Sequence, residues 1–477
     1  MRTQRHQIEE TAEEPVIFEI QGRRGAGKTY FCRSLAMQLG YKLCVLHLNA
    51  FLERPRQMWR DLLCEIFFNC RVRGCLLYLD LSDCSEEQED VISKVKEIAA
   101  EYILLFIGTK SNSAFCQKAA LFTQRFSLDK LKAEDSLRLW KWMKNNYALE
   151  EDIDYEQLAG RYCLLPGRIH EVFVRAERYR LEQGKQTIDF QMLLSCIRES
   201  NQFSGNFLME RIDTVFTWKE LRVEPQVVSG MQLACAHLKY RFTIEKTMDK
   251  KTPYGKGVGV LMYGPPGTGK TMAAQVIANE LQMDLYRVDL SQVTSKYIGE
   301  TEKNLEKIFR EAEHANVILF FDEADSMFGK RTEVKDSNDK YANQETSYIL
   351  QRIESYEGMV ILATNFAQNF DSAFMRRITV SIRFSLPDEK TRVILWKDML
   401  QDTELANDIV MIESLAAQFE LSGSNIKNIV RNAGCLALVN QRTLGIADVV
   451  MAIKIEFEKL GKLCNANTFG VFMGYIY

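Results

Sequence analysis

Eight residues, Gly264-Pro265-Pro266-Gly267-Thr268-Gly269-Lys270-Thr271, leave this chain few folds to choose from. An apolar run, Val258 to Tyr263, precedes them, and a helical pattern, Met272 to Leu281, follows. Strand, glycine-rich loop and helix form the context in which GxxxxGK[ST] wraps a phosphate chain. The glycines let the backbone curl until successive N–H groups point inward. The amino end of the following helix adds partial positive charge. Lys270 is placed to reach the β- and γ-phosphates, and the Thr271 hydroxyl to take a magnesium coordination position. A plain Gly/Pro turn is the bland alternative. A second signal speaks against it: Val317-Ile318-Leu319-Phe320-Phe321 runs into Asp322-Glu323-Ala324-Asp325. A short apolar run ending in acids reads as a buried parallel strand with carboxylates at its carboxyl edge, where ligands of open α/β sheets bind. Asp322 would hold the magnesium and Glu323 would polarise the attacking water. Gly264 to Thr271 with Asp322 are therefore the expected ATP–magnesium ligands, Thr271 and Asp322 being those on the metal.

The loop recurs. Val16 to Ile20 reads as a strand feeding Gly22-Arg23-Arg24-Gly25-Ala26-Gly27-Lys28-Thr29, with a helix over Tyr30 to Leu39. Strands over Leu43–Leu48, Cys75–Asp80 and Ile103–Ile107 alternate with helices, which argues a parallel doubly wound sheet. Gly22, Gly25, Gly27, Lys28 and Thr29 are the expected phosphate ligands here. Asp80 matches the magnesium-binding acid, but Leu81 follows it where the second copy has Glu323. The first site is therefore expected to bind nucleotide with poor or no hydrolysis, an empty remnant loop being the alternative. Helical patterns from Ser127 to about Gln202 read as a lid, one of them opened by Pro166-Gly167-Arg168, an arginine that faces either a phosphate or solvent. The second copy repeats the plan, with further strands over Asp284–Asp289, Val360–Asn365 and Val380–Leu386 and lid helices from Asp388. The expected fold is α/β: two tandem P-loop modules, each a parallel doubly wound sheet followed by a helical lid. The expected division is 1–126 (first α/β domain), 127–205 (first lid and linker), 206–387 (second α/β domain), 388–460 (second lid) and 461–477 (tail).

With 477 residues, 46% hydrophobic and 26% charged, the chain has room for several ordinary globular domains. A net charge of −3 gives no global pull toward nucleic acid or anionic membrane. The 12 cysteines contain no C-x-x-C pair and the five histidines no metal-ligand spacing. Scattered thiols and polar first residues lead to the expectation of a reducing cytoplasm and no membrane partner.

These motifs together resemble the AAA clade of the AAA+ ATPases over residues 215 to 460. Gly264–Thr271 corresponds to Walker A, Phe320–Glu323 to Walker B, and Ala363-Thr364-Asn365 to sensor 1. Asp371 to Arg377 corresponds to the arginine-bearing second region of homology, and Gly423-Ser424-Asn425-Ile426 to the lid segment beside the nucleotide. Ser295-Lys296-Tyr297-Ile298-Gly299-Glu300 is similar to the pore loop of the katanin and spastin group. The resemblance implies ATP with Mg2+, a homo-oligomeric ring, expected to be a hexamer, and a protein client gripped by Lys296, Tyr297 and Ile298. It implies that Asn365 positions water, that Gly423 and Ser424 border the nucleotide, and that Arg376 or Arg377 enters the neighbouring subunit's site. AAA modules often carry two finger arginines three residues apart; here Arg376 fits the first position and Thr379 stands at the second. Phe328 to Asp336, with Tyr341-Ala342-Asn343, is similar to the ATPases of bacterial extracellular contractile injection systems. Two other readings compete with threading: a nucleotide-dependent assembly switch, and an origin-binding or clamp-loader type of nucleic-acid ATPase, which the charge disfavours.

Overall fold

The computed structural model describes residues 16–48, 62, 65–66, 68–70, 72–82, 95–96, 104–111, 113, 115–118, 123–128, 131, 133–162, 164–200, 208–241, 243–244, 257–293, 300–324, 348–366 and 372–475. By internal contacts the chain divides into two units, Met1–Tyr155 with Cys163–Cys196, and Glu156–Tyr162 with Ile197–Tyr477.

In the first unit, β1 (Val16–Gln21) enters α1 (Lys28–Gln38), followed by β2 (Lys42–His47), β3 (Cys75–Asp80), β4 (Leu104–Thr109) and β5 (Thr123–Ser127). They form a parallel sheet of order β2-β3-β4-β1-β5, so the phosphate loop leaves an interior strand. Alternate residues serve its two faces, as period-2 geometry requires. Leu77, Leu79, Leu105 and Ile107 pack on one side, and Ile20, Tyr78 and Phe106 meet Cys32 and Ala36 of α1 on the other. Helices α2 (Ala133–Met143), α4 (Pro166–Glu182) and most of α5 (Phe190–Ser200) follow, whereas α3 (Tyr155–Arg161), from Glu156 on, and α5, from Ile197 on, belong to the second unit. Strand β5 was not apparent in the sequence, because Thr123-Gln124-Arg125-Phe126-Ser127 is a mostly exposed edge strand without an apolar run.

In the second unit, β6 (Met209–Ile212) and α6 (Pro225–Lys239) precede β7 (Val258–Tyr263), which enters α7 (Lys270–Leu281). Then come β8 (Leu285–Val288), α8 (Glu300–Ala315), β9 (Ile318–Phe321), β10 (Met359–Thr364) and β11 (Val380–Arg383). The order β11-β7-β10-β9-β8 repeats that of the first sheet strand for strand, and β6 adds an antiparallel edge on β8. Strands β9 and β10 are buried throughout, which is why they read as unbroken apolar runs. Helix α8 turns Leu305, Ile308, Phe309 and Ala312 onto the sheet at i, i+3, i+4, i+7 spacing.

The lid of this unit is α9 (Glu389–Leu400), α10 (Ile409–Gln418), α11 (Gly423–Val439) and α12 (Ile446–Lys459). Its core includes Trp396, Phe419, Ile426, Ile453 and Phe457, and also Phe469 and Phe472 from beyond residue 460. The carboxyl end of α7 is closed inside the same unit. Arg161 Nη1 donates to Leu281 O at 3.2 Å, while Tyr162 Oη and Arg198 Nε donate to Gln282 O at 3.1 and 3.0 Å. Cations at a helix carboxyl end complement its dipole.

Candidate nucleotide site

The second loop is shaped by what no side chain has room to occupy. Gly264, Gly267 and Gly269 all have positive φ, at 146°, 76° and 100°. A Cβ on Gly264 would lie 1.9 Å from Phe384 O, and one on Gly267 would lie 1.9 Å from Ser424 Oγ. Pro265 and Pro266 are exposed, and Thr268 Oγ1 donates to Pro265 O at 2.8 Å. Helix α7 starts at Lys270, with the half-buried Thr271 in its first turn. Lys270 Nζ is drawn back into the loop, donating to Gly264 O at 2.7 Å, Pro265 O at 2.9 Å and Asn365 Oδ1 at 2.9 Å. Lys270 and Asn365 therefore meet, although 95 residues separate them. The lid closes against the same loop: Ser424 N donates to Gly267 O at 3.2 Å, and Ser422 caps α11. Gly423 and Ser424 thus stand on the loop itself.

The acids lie one strand further along the same edge. Asp322 follows β9, and its Oδ1 accepts the Glu323 N–H at 3.1 Å. Its Oδ2 is 2.9 Å from Arg287 Nη2 on β8. Glu323 is exposed and has φ +51°. Left-handed backbone at a non-glycine residue costs about 1–3 kcal/mol and gathers at functional sites.

The first unit matches this site up to a point. Gly25 and Gly27 have φ 84° and 92°, α1 starts at Lys28, and Thr29 is half-buried in its first turn. Lys28 Nζ donates to Gly22 O at 2.5 Å and to Arg23 O at 3.1 Å. Gly167 N donates to Gly25 O at 2.8 Å, the counterpart of the Ser424–Gly267 bond. Pro166-Gly167 at the start of α4 is thus the equivalent of Gly423-Ser424 in the lid. Arg168, next in the segment, has its Nη1 3.4 Å from Glu171 Oε2 on its own helix. Past Asp80 the likeness ends. Leu81 is buried in the core cluster, and Asp80 is occupied at both oxygens: Ser82 N and Oγ reach Oδ1 at 3.0 and 2.6 Å, and His47 Nδ1 is 3.2 Å from Oδ2.

The two candidate arginines separate. Arg377 Nε is 2.9 Å from Glu354 Oε1 of its own unit. Arg376 is exposed, and no hydrogen bond or ion pair holds it among the described residues. Lys296, Tyr297, Ile298 and Asp371 lie outside the described residues, as does the stretch from Phe328 to Asn343. Among the described cysteines all are free, and burial pushes the thiols of Cys32, Cys116 and Cys235 up to about 12, leaving them protonated and unreactive. No helix among the described residues is long and apolar enough to cross a membrane.

The second site fits a nucleotide triphosphate with magnesium. Its loop has no room for a Cβ at Gly264 or Gly267, where one would meet Phe384 O or Ser424 Oγ. The hydroxyl of Thr271 and the carboxylate of Asp322 are hard oxygens of the kind magnesium uses when phosphates complete its shell. No group of three or more His, Cys, Asp or Glu that could hold a metal alone occurs among the described residues. Two features escaped the sequence reading, Arg287 and His47. Only the pairing register of β8 with β9 and of β2 with β3 sets them beside the acids.

Fold and loop together define a P-loop ATPase domain, and comparison with known proteins gives its kind. Residues 260–386 match the ATPase family associated with various cellular activities (AAA), so this stretch is an AAA ATPase domain. The chain is similar to the cell division cycle protein 48 homolog of Archaeoglobus fulgidus, 26% identical over 493 aligned positions covering 92% of this chain and 66% of that one. It is 34% identical over 191 residues to the probable 26S proteasome regulatory subunit 4 of Caenorhabditis elegans, covering 39% of this chain and 43% of that protein. It is 37% identical over 188 residues to a 26S proteasome regulatory subunit 6B homolog of Encephalitozoon cuniculi, covering 38% and 48%. The chain thus spans just under two thirds of the archaeal relative and less than half of each proteasome subunit.

Proposed function

We propose that this chain hydrolyses ATP in its second unit, as one copy in a homo-oligomeric ring of six, and uses the reaction to remodel, unfold or thread a protein client. The observation that carries the reading is the row of groups along one sheet edge. Lys270 is bonded to Asn365, with Asp322 on the next strand and Glu323 turned out of the sheet beside it. Lys270 neutralises phosphate oxygens and leaves its carbonyl partners to do so. Thr271 and Asp322 are the ligands of the magnesium, whose charge offsets that of the phosphates. Glu323 takes a proton from water held by Asn365. Arg376, exposed and uncommitted, is the arginine offered to a neighbouring copy; Arg377 serves its own unit through Glu354. The protein client is supported by the proteasome regulatory subunits among the relatives and by Lys296-Tyr297-Ile298.

The test has two arms. Lys270→Ala should abolish nucleotide binding in the second unit; wild-type turnover would break the site assignment. Tyr297→Ala should leave basal ATPase near normal and remove client processing. Loss of both together would point to a folding role for that loop instead.

A second reading, a nucleotide-set assembly switch, is favoured by the first unit, whose Asp80 is closed by the chain's own groups. It predicts oligomers that respond to nucleotide and a client activity indifferent to Tyr297→Ala. The five-part division at residues 126, 205, 387 and 460 and a reducing cytoplasm belong to the same proposal. So does a place beside a contractile injection particle, which rests on Phe328 to Asp336 with Tyr341-Ala342-Asn343 and on the altered first unit in front of them. Sheath or baseplate genes next to this one would support that narrower assignment. A nucleic-acid role predicts salt-dependent DNA binding, which the net charge of −3 disfavours.

A further inference from the structure

Arg287 belongs to none of the motifs that define the site. Along β8, Leu285, Tyr286 and Val288 are buried and Arg287 is exposed. Alternation puts Arg287 on the sheet face of α7, where Phe320 and Asp322 also project. Its Nη2 is 2.9 Å from Asp322 Oδ2, with side chains 44% and 28% exposed. The other oxygen of Asp322 accepts the adjacent Glu323 N–H, at 3.1 Å. Arg287 therefore covers the acid on one oxygen, in a bond open to solvent and exchangeable.

The arrangement occurs twice. In the first unit the strand next to the acid again supplies a nitrogen-bearing side chain, His47, with Nδ1 3.2 Å from Asp80 Oδ2. There the second oxygen accepts from both N and Oγ of Ser82. Recurrence from different residue types at different register positions argues that covering this acid is a built property of the fold. Both acids have a partner on each oxygen, but Asp80 Oδ1 takes two donors from Ser82 where Asp322 Oδ1 takes one backbone N–H.

We propose that Arg287 is a tethered counter-ion that holds Asp322 in the empty site and is exchanged for magnesium when ATP loads, so that it sets the magnesium concentration at which the second unit fills. The inference rests on the reading of Asp322 given above. A guanidinium on the carboxylate competes with a divalent cation for the same oxygen and repels it. An exposed charge-assisted pair of this kind shifts an equilibrium by roughly two- to fivefold.

The experiment uses the full chain and a fluorescent N-methylanthraniloyl ATP, titrating magnesium from an EDTA baseline. Arg287→Ala should lower the half-saturating magnesium about two- to fivefold, with binding in EDTA unchanged and thermal unfolding near the parent. Arg287→Lys, which keeps a cation on a flexible stem, should stay closer to the parent. An unchanged or raised magnesium requirement in Arg287→Ala would overturn the exchange. Equal weakening with and without magnesium would also overturn it, because Arg287 would then touch the nucleotide. A parent whose binding ignores magnesium, with Asp322→Asn behaving alike, would instead remove the reading of Asp322 beneath it.

Discussion

Strands β3 and β9 occupy the same place in two sheets of the same order, and they end differently. In the first unit Leu81 N donates to Gly108 O at 2.8 Å, so the residue after Asp80 stays in the ladder and its side chain goes into the core. In the second unit the corresponding carbonyl is Ala363 O, and the donor is Ala324 N at 2.9 Å, one residue later. Glu323 is the extra residue, left-handed and exposed. A single inserted position thus separates an edge that presents a carboxylate from one that buries a leucine. The strands beside the loop differ in the same sense. Buried Glu19 on β1 is bound by Gln21, Thr109 and Arg125, whereas Leu261 stands at its place on β7. The first unit spends polar groups on holding its own sheet together, and the second keeps them for the edge.

The strongest way to break this contrast is through the arginines. Arg376→Ala should lower steady-state ATPase by about 10³–10⁵-fold, the worth of an arginine supplied in trans, while Arg377→Ala should cost far less. Mixing Arg376→Ala with Glu323→Gln subunits should restore activity at mixed interfaces; no recovery in demonstrated mixed rings would count against Arg376. Next, Glu323→Gln should lose about 10²–10⁴-fold in turnover, as removal of a positioned base does, and should trap ATP. Residual ATPase that disappears when Lys28→Ala is added would mean that the first unit hydrolyses after all. A smaller effect, read as stability, is expected at Leu81. Leu81→Glu puts an unpaired carboxylate into a closed core and should destabilise the first unit by about 3–5 kcal/mol, measured by denaturant unfolding, with no gain of hydrolysis. A folded Leu81→Glu protein with added ATPase would show that the missing base was the whole difference. Least of all, Lys28→Ala alone should leave turnover nearly intact and alter assembly or thermal stability through lost nucleotide linkage.

Much of this was legible in the sequence, and the limits were physical. Buried parallel strands are continuous apolar runs, so β3, β7, β9 and β10 could be read directly. Loop, helix start and acid follow one another at fixed spacing, so Lys270, Thr271 and Asp322 could be placed without coordinates. Edge strands β5 and β6 face solvent and carry no such run. Arg287 and His47 acquire meaning only from cross-strand register, which no local pattern encodes. The matching lid starts at Pro166 and Gly423 share a position on their loops while sharing almost no residues. That a leucine follows Asp80 where a glutamate follows Asp322 was visible; that Glu323 is an added residue, Leu81 matching Ala324, was not, because a backbone insertion leaves no mark on composition or periodicity.

The left-handed backbone at Glu323 also bears on how this protein would respond to selection for robustness. Glycine adopts φ +51° without the penalty a glutamate incurs. Glu323→Gly should therefore melt at a higher temperature than the parent while losing its proton acceptor. A screen that rewards heat resistance alone would drift toward that substitution and enrich inert protein. Only a screen that also demands turnover would keep the glutamate, since tolerance and activity pull this position in opposite directions.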